Sequence, residues 1–346
     1  MKNYYVFRNR RDTRSVLVER KGIFVFAVLL ISIVLMSILA LAVGSTYVRF
    51  IDVVKVFFIQ EASDYYFIIM QLRFPRIIVA LLAGAALGVS GALLQGMIRN
   101  PLASPDIAGI THGAAFGAIL FLSLFAGKVS IHLQPIAAII SAAIVMTIIY
   151  ALSYKKGLVP TRFILIGIGL TMFMSSLTTF LIVFSDQYSA KQAYIWLTGS
   201  IYGSTYHHIW LLLPWVFVLI PLSMFLVRSI GIQELGDDWS QSLGVPVQKH
   251  RLLLIAISVA LGGAAISVIG ALAFVGLVAP HIARKLIGRN YMVLIPVSAL
   301  IGAMIVLLSD IVGRTLFLPN DVPAGIFTAG IGAPFFIYLL YRGRKR

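Results

Sequence analysis

Apolar residues run along this chain in long unbroken stretches, with neither the strict alternation of a half-buried strand nor the narrow stripe of a surface helix. About 20 consecutive apolar residues suffice for a helix to cross a bilayer. Ten such stretches are predicted, at 23–43, 77–97, 108–126, 134–152, 163–184, 208–227, 251–270, 272–287, 292–312 and 323–341, with ends soft by several residues. Only the Gly270-Ala271 pair separates the seventh from the eighth, which is also short. The eighth is therefore expected to be a tilted or partial crossing held among its neighbours. The first stretch ends in Ala40-Leu41-Ala42, a triplet that could close a cleavable leader. Its 21 residues, Ile23 to Val43, match a full crossing instead, so an uncleaved span is expected.

Composition agrees: 60% of the 346 residues are hydrophobic and 12% charged, which excludes a soluble globular protein. The formal charge of +16 would suggest a nucleic-acid binder in a soluble chain, but these charges sit between the apolar runs and belong to loops beside the lipid. No nucleic-acid role is expected. With the amino terminus inside, the inner segments hold 21 of the 28 Lys and Arg residues, and the outer ones hold Arg49, Lys55, Arg73, Arg76, Lys128, Lys191 and Arg314. This bias predicts cytoplasmic termini. The organisation expected is all-α and polytopic: a basic cytoplasmic segment at 1–22, one membrane domain at 23–341 with a cytoplasmic loop at about 229–250, and a basic tail at 342–346. Cysteine is absent, which removes disulfides and thiolate metal sites. Gly127-Lys128 and Lys156-Gly157 lack the glycine spacing of a phosphate-cradling loop, so the chain has no ATP site of its own.

Gly84, Gly88 and Gly91 in the second span and Gly109, Gly113 and Gly117 in the third clear one helix face each for close packing. The only carboxylate near a span is Asp310, four residues before Arg314 and placed for a local ion pair. An ion-coupled secondary transporter, which needs titratable groups near the midplane, is thus poorly supported. A membrane-embedded enzyme, which needs clustered His, Asp or Glu, finds no such cluster in the sequence. In the fifth span Thr171, Ser175, Ser176, Thr178 and Thr179 share one broad face. They either line a pore or bond back to their own helix carbonyls.

Three connecting segments carry further signals. Arg73-Phe74-Pro75-Arg76 places two guanidinium groups on the basic-poor outer side, suited to a docked acidic protein or to lipid headgroups. Arg99 to Asp106 is a rigid inner turn with two prolines, readable as a gate or a packed corner. Leu235 to Pro246 is a short amphipathic piece ended by glycine and proline, with Trp239 amid acids; it fits either a groove of a cytoplasmic partner or the lipid interface. His281 follows Pro280 inside a span and is expected to satisfy a freed carbonyl rather than act as a sensor or ligand. His207 and His208, adjacent and lacking a third ligand, are not expected to bind metal.

From Arg73 to the carboxyl terminus the chain resembles the permease subunits of ABC importers for iron-siderophores, haem and vitamin B12, the FecCD type. The resemblance rests on Arg73-Phe74-Pro75-Arg76, Gly91-Ala92-Leu93-Leu94-Gln95 followed by Asn100-Pro101-Leu102-Ala103, Leu235 to Pro246, Gly276 to Arg284, and Asp310-Ile311-Val312-Gly313-Arg314. It implies a type II importer permease of ten spans in the cytoplasmic membrane, paired with an identical or paralogous second permease, two cytoplasmic ATPases and an outer substrate-binding protein. ATP and Mg would be bound by the ATPases; this subunit would have no catalytic residue, cofactor or metal. By the same resemblance Arg73, Arg76 and Arg314 would dock the binding protein, and Leu235, Gly236, Asp237, Asp238, Trp239, Leu243 and Gly244 would couple to the ATPase. Asn100, Leu102 and Thr161 would form the inner gate, and Thr171, Ser175, Thr178 and Thr179 would line the pathway. The cargo implied is a ferric siderophore, with vitamin B12 or haem as alternatives.

Overall fold

The structure, a computed structural model, describes residues 4–8, 15–58, 65–125, 128–155, 157–234 and 236–343. A short antiparallel pair, β1 (Tyr4–Arg8) with β2 (Ser15–Glu19), precedes an otherwise helical chain, a feature the apolar pattern did not announce. The helices that follow are α1 (Arg20–Ala42), α2 (Phe50–Phe58), α3 (Phe74–Ile98), α4 (Ile110–Phe125), α5 (Gln134–Ser153), α6 (Pro160–Phe184) and α7 (Gln187–Thr198). Then come α8 (Tyr206–Phe225), α9 (Val227–Gln233), α10 (Asp237–Ser242), α11 (Val247–Ile269), α12 (Val275–Ile287), α13 (Tyr291–Thr315) and α14 (Ala324–Gly343).

Ten of these fall on the ten expected apolar runs. Seven are long and apolar enough to cross a membrane, α3 being extended to 32 residues by a π-helical turn at Phe67–Arg73. Helix α4 and the Ala324–Leu339 part of α14 are shorter. Helix α12 has 13 residues, about 20 Å of helix and hence short of a full crossing. Helices α2, α7, α9 and α10 fall in the segments that join the expected spans.

Helices α3, α11 and α13 form the buried centre, while α1, α5, α6 and α8 present large apolar side chains outward. The centre is held by missing side chains. A methyl on Gly84 would collide with the Gly302 carbonyl of α13, and one on Gly91 with the Gly276 carbonyl of α12. Gly113 and Gly117 likewise seat α4 against Val145, Ser141 and Ala137 of α5. Without a hydrophobic drive inside lipid, this backbone approach is what makes packing favourable. Across the same core Ser90 Oγ and Ser258 Oγ lie 2.8 Å apart, each also within hydrogen-bond reach of the other's carbonyl.

Candidate functional site

Irregular backbone at membrane depth survives only where protein satisfies its polar groups, and the break between α11 and α12 shows how. Ala271 N–H donates to the Trp196 carbonyl at the end of α7. Phe274, with a left-handed φ of 66°, donates its N–H to Asp106 Oδ2 at 3.2 Å. The other Asp106 oxygen accepts from Thr111 Oγ1 at 2.6 Å. Asp106 thus places a carboxylate at the start of α12, where the helix dipole favours it. Its sequence position gives no sign of this, because it lies in a turn whose re-entry into the bundle depends on tertiary packing.

Asp106, Thr111 and His112 line a cavity of about 470 Å³, together with Ser175, Thr178 and Thr179 of α6 and Phe336 of α14. Thr171 is absent from its lining, although it too lies on α6. Back-bonding is present on this face: Thr178 Oγ1 donates to Met174 O at 2.8 Å and Thr179 Oγ1 to Ser175 O at 3.0 Å, and both residues also line the cavity. Such hydroxyls present a weakly polar wall with little donor capacity to spare.

A second cavity, of about 180 Å³, lies beside the first and shares Ser104, Ile107 and Phe336 with it. Asn100, Leu102 and Phe163 line it. Asn100 Oδ1 accepts from Leu102 N–H at 2.9 Å and tightens the turn. Thr161 is exposed at the start of α6 and does not line this cavity, whereas Phe163 is buried and does. Two residues apart on a helix, the two side chains point about 200° apart.

The outer arginines are placed differently from a free docking set. Arg73 is 5% exposed, and its guanidinium donates to the carbonyls of Leu41 at 2.6 Å, Ala42 at 3.1 Å and Thr46. Arg314 is 6% exposed and donates to Ala40 O at 2.5 Å. Both therefore cap the orphan carbonyls at the carboxyl end of α1. Of the three, Arg76 is the most exposed, at 12% of its side chain. It pairs through Nε with Asp310 Oδ1 at 2.8 Å and bidentately with the exposed Asp321, at 2.6 and 2.9 Å, under the ring of Tyr202. Asp310, expected to pair locally with Arg314, lies 3.8 Å from it and takes Arg76 as its nearer partner.

The amphipathic piece is α10. Leu235 lies outside the described residues. Trp239 and Leu243, four apart and thus on one face, are 67% and 62% exposed, with Asp238 and Gly244 also outward. Ser240 turns inward and bonds Gly236 O and Ile232 O. Gly236 takes a φ of 119° before the helix, open to glycine and strained for other residues. Asp237 does not join the exposed face: Arg251 grips it bidentately at 2.7 Å, and Arg99 pairs with it as well. Burial, and then the charge of Arg251, push the Arg99 guanidinium below its ordinary value.

His281 does not find the expected carbonyl. Its ring packs edge-on against Phe335 at 5.4 Å, and Nε2 has no hydrogen-bond partner. Among the described residues no group of His, Asp or Glu could hold a metal; the His132 ring packs 4.7 Å from His207, and His208 Nδ1 accepts the Thr205 N–H as a helix cap.

The sequence model of the FecCD transport family matches residues 29–342. The chain is 45% identical over 332 residues to the "Probable siderophore transport system permease protein YfhA" of Bacillus subtilis, covering 94% of this chain and 97% of that one. It is 42% identical over 344 residues to the "Achromobactin transport system permease protein CbrC" of Dickeya dadantii, covering 99% and 98%. A solved inward-facing chain of a metal-chelate type ABC transporter superposes with a TM-score of 0.81 at 29% identity, covering 92% of this chain and 99% of that one.

Proposed function

The chain belongs to the FecCD transport family, and on that premise we propose that it is one of two permeases through which an ATP-driven importer passes a ferric siderophore across the cytoplasmic membrane. The cavity at membrane depth is the observation that carries the reading: hydroxyls of α6 and a polar corner at Asp106 and His112 line it, and Asn100, Leu102, Phe163 and Phe336 narrow it on the inner side. A path of this kind wets a polar solute without holding it, which suits a subunit whose selectivity resides in a partner. Family membership makes this a transport subunit without catalysis of its own. Energy enters from two cytoplasmic ATPases carrying ATP and Mg, cargo from an outer binding protein, and both termini lie in the cytoplasm. The second permease, identical or paralogous, covers part of the apolar face of α6, where Leu165, Met172 and Phe173 stand exposed.

In this reading the binding protein docks around Arg76, where a guanidinium reaches the outer surface, while Arg73 and Arg314 brace the end of α1 beneath it. The assembled importer in liposomes, supplied with loaded binding protein, accumulates radiolabelled ferric siderophore only with ATP. Uptake that persists without the ATPase and collapses with the proton gradient would overturn the reading. Displacement of the label by vitamin B12 or haem would reassign the cargo.

The ATPase groove takes the Trp239–Leu243 face. Truncating both to Ala removes two largely exposed anchors and no buried side chain, so the permease folds and inserts normally while its ATPase is lost on co-purification. Anchors of this type are worth about 2 kcal/mol or more each, so retention of the ATPase by the double variant would remove α10 from that interface.

A further inference from the structure

Asp237 sits on α10, yet both of its oxygens face the permease. Arg251, at the start of α11 and fully buried, donates through Nη1 to Oδ2 and through Nη2 to Oδ1, each at 2.7 Å. The same Arg251 Nη1 also donates to the Leu158 carbonyl at 3.3 Å, and Gln248 Oε1 accepts the Leu158 N–H at 3.1 Å. Leu158 closes the turn between α5 and α6, five residues before Phe163. On the other side Arg99 caps α3 in a left-handed conformation with φ 55° and pairs with Asp237 Oδ1. Its neighbour Asn100 begins the turn that carries Leu102. The two chain segments lining the smaller cavity, one with Asn100 and Leu102 and the other with Phe163, are thus held by two guanidinium groups on one carboxylate.

We infer that Asp237 is the positioning residue that transmits movement of α10 to the inner constriction, drawing the Arg99 end of α3 and the Leu158 turn together, and that it is not itself an ATPase contact. This rests on the importer reading above and assigns that reading's mechanical link. The chemistry suits the task. Charge-assisted bidentate bonds are short and directional, and a buried guanidinium cannot leave its carboxylate without a large desolvation penalty. The Arg251–Asp237 pair therefore moves as a unit, and Arg99 follows it through one directional, partly exposed ion pair. Trp239 and Leu243 on the opposite face remain free for a partner, so contact and transmission occupy different faces of one short helix.

The test uses the complete importer in liposomes and reads ATP hydrolysed per cargo moved. Arg99→Gln cuts the tie to α3 and leaves the Arg251–Asp237 pair intact, so the fold survives. It is expected to keep the ATPase bound and hydrolysing while the ratio rises roughly tenfold, and Arg99→Lys is expected to recover most of the loss. Asp237→Asn is expected to raise the ratio as well, still with the ATPase co-purifying, and Asp237→Glu to restore it. An unchanged ratio in Arg99→Gln, or release of the ATPase by Asp237→Asn from a complex whose permease remains folded, overturns the inference. Should Asp237→Asn not fold, the Arg99 pair of variants decides. A wild-type complex that moves nothing with ATP would refute the importer reading instead, so the two failures are distinguishable.

Discussion

Arg76→Ala is expected to cost about 3–5 kcal/mol of stability, because it strands Asp310 without its nearest counter-charge. Asp310 is 1% exposed, and its Oδ1 is held by Arg76 Nε at 2.8 Å, whereas Arg314 stands 3.8 Å away with its Nη2 committed to Ala40 O. The loss of Asp321 as a partner adds little, since that carboxylate is exposed and solvent replaces the guanidinium. The check is thermal unfolding of the purified permease in detergent. Arg76→Ala should melt well below the wild type, and Arg76→Gln combined with Asp310→Asn should recover much of the difference, because neutral partners leave no buried charge. If Arg76→Ala melts like the wild type and loses only the binding protein, Arg76 is a surface docking group and nothing more. The result matters for reading docking experiments on this chain: charge reversal at Arg73 or Arg76 perturbs the α1 end and the Asp310 pair as well as any partner.

Gly91→Leu should be the most damaging single substitution in the membrane core. Its first side-chain atom would overlap the Gly276 carbonyl oxygen, which belongs to backbone and cannot swing aside as a flexible side chain could. Overpacking ordinarily costs about 1–3 kcal/mol, and a backbone collision between two central helices lies at or above the upper end. Gly276 opens α12 two residues after Phe274, so a displaced α12 also disturbs the N–H that Asp106 accepts. Folded yield after detergent extraction, by size exclusion, is the measurement. Gly330→Leu on α14, where nothing lies within 4 Å of the added carbon, is the matched control and should behave as the wild type. Equal yields for the two variants would mean that α3 and α12 are not locked at this point.

Much of the site was legible in the sequence in kind, though not in orientation. Asn100, Leu102, Ser175, Thr178 and Thr179 line the two cavities, and Trp239 and Leu243 share an exposed face. The family resemblance places Asp237 with Trp239 in one coupling segment, but residues two apart on a helix point about 200° apart, and only the fold supplies Arg99 and Arg251 to the Asp237 face. Arg73 and Arg314 looked like outer charges because they flank spans. The structure turns them onto α1, whose last carbonyls have no helical partner of their own. His112 and Asp106 gave no signal, since a lone histidine near a helix start and an acid in a turn are ordinary until three other segments close around them.

What the sequence determined by itself is the number and order of the apolar segments, the loops that separate them and the family. Transfer of a segment into lipid is a sum over contiguous residues, and a motif is a local string, so both are complete without knowledge of any partner. What only the tertiary structure decided is which polar groups meet. Arg76 finds Asp310 across 234 positions, Phe274 finds Asp106 across 168 and Arg99 finds Asp237 across 138. Such pairings depend on which helices the missing glycine side chains allow to approach, and on the cost of leaving a charge or an N–H unpaired where water does not reach.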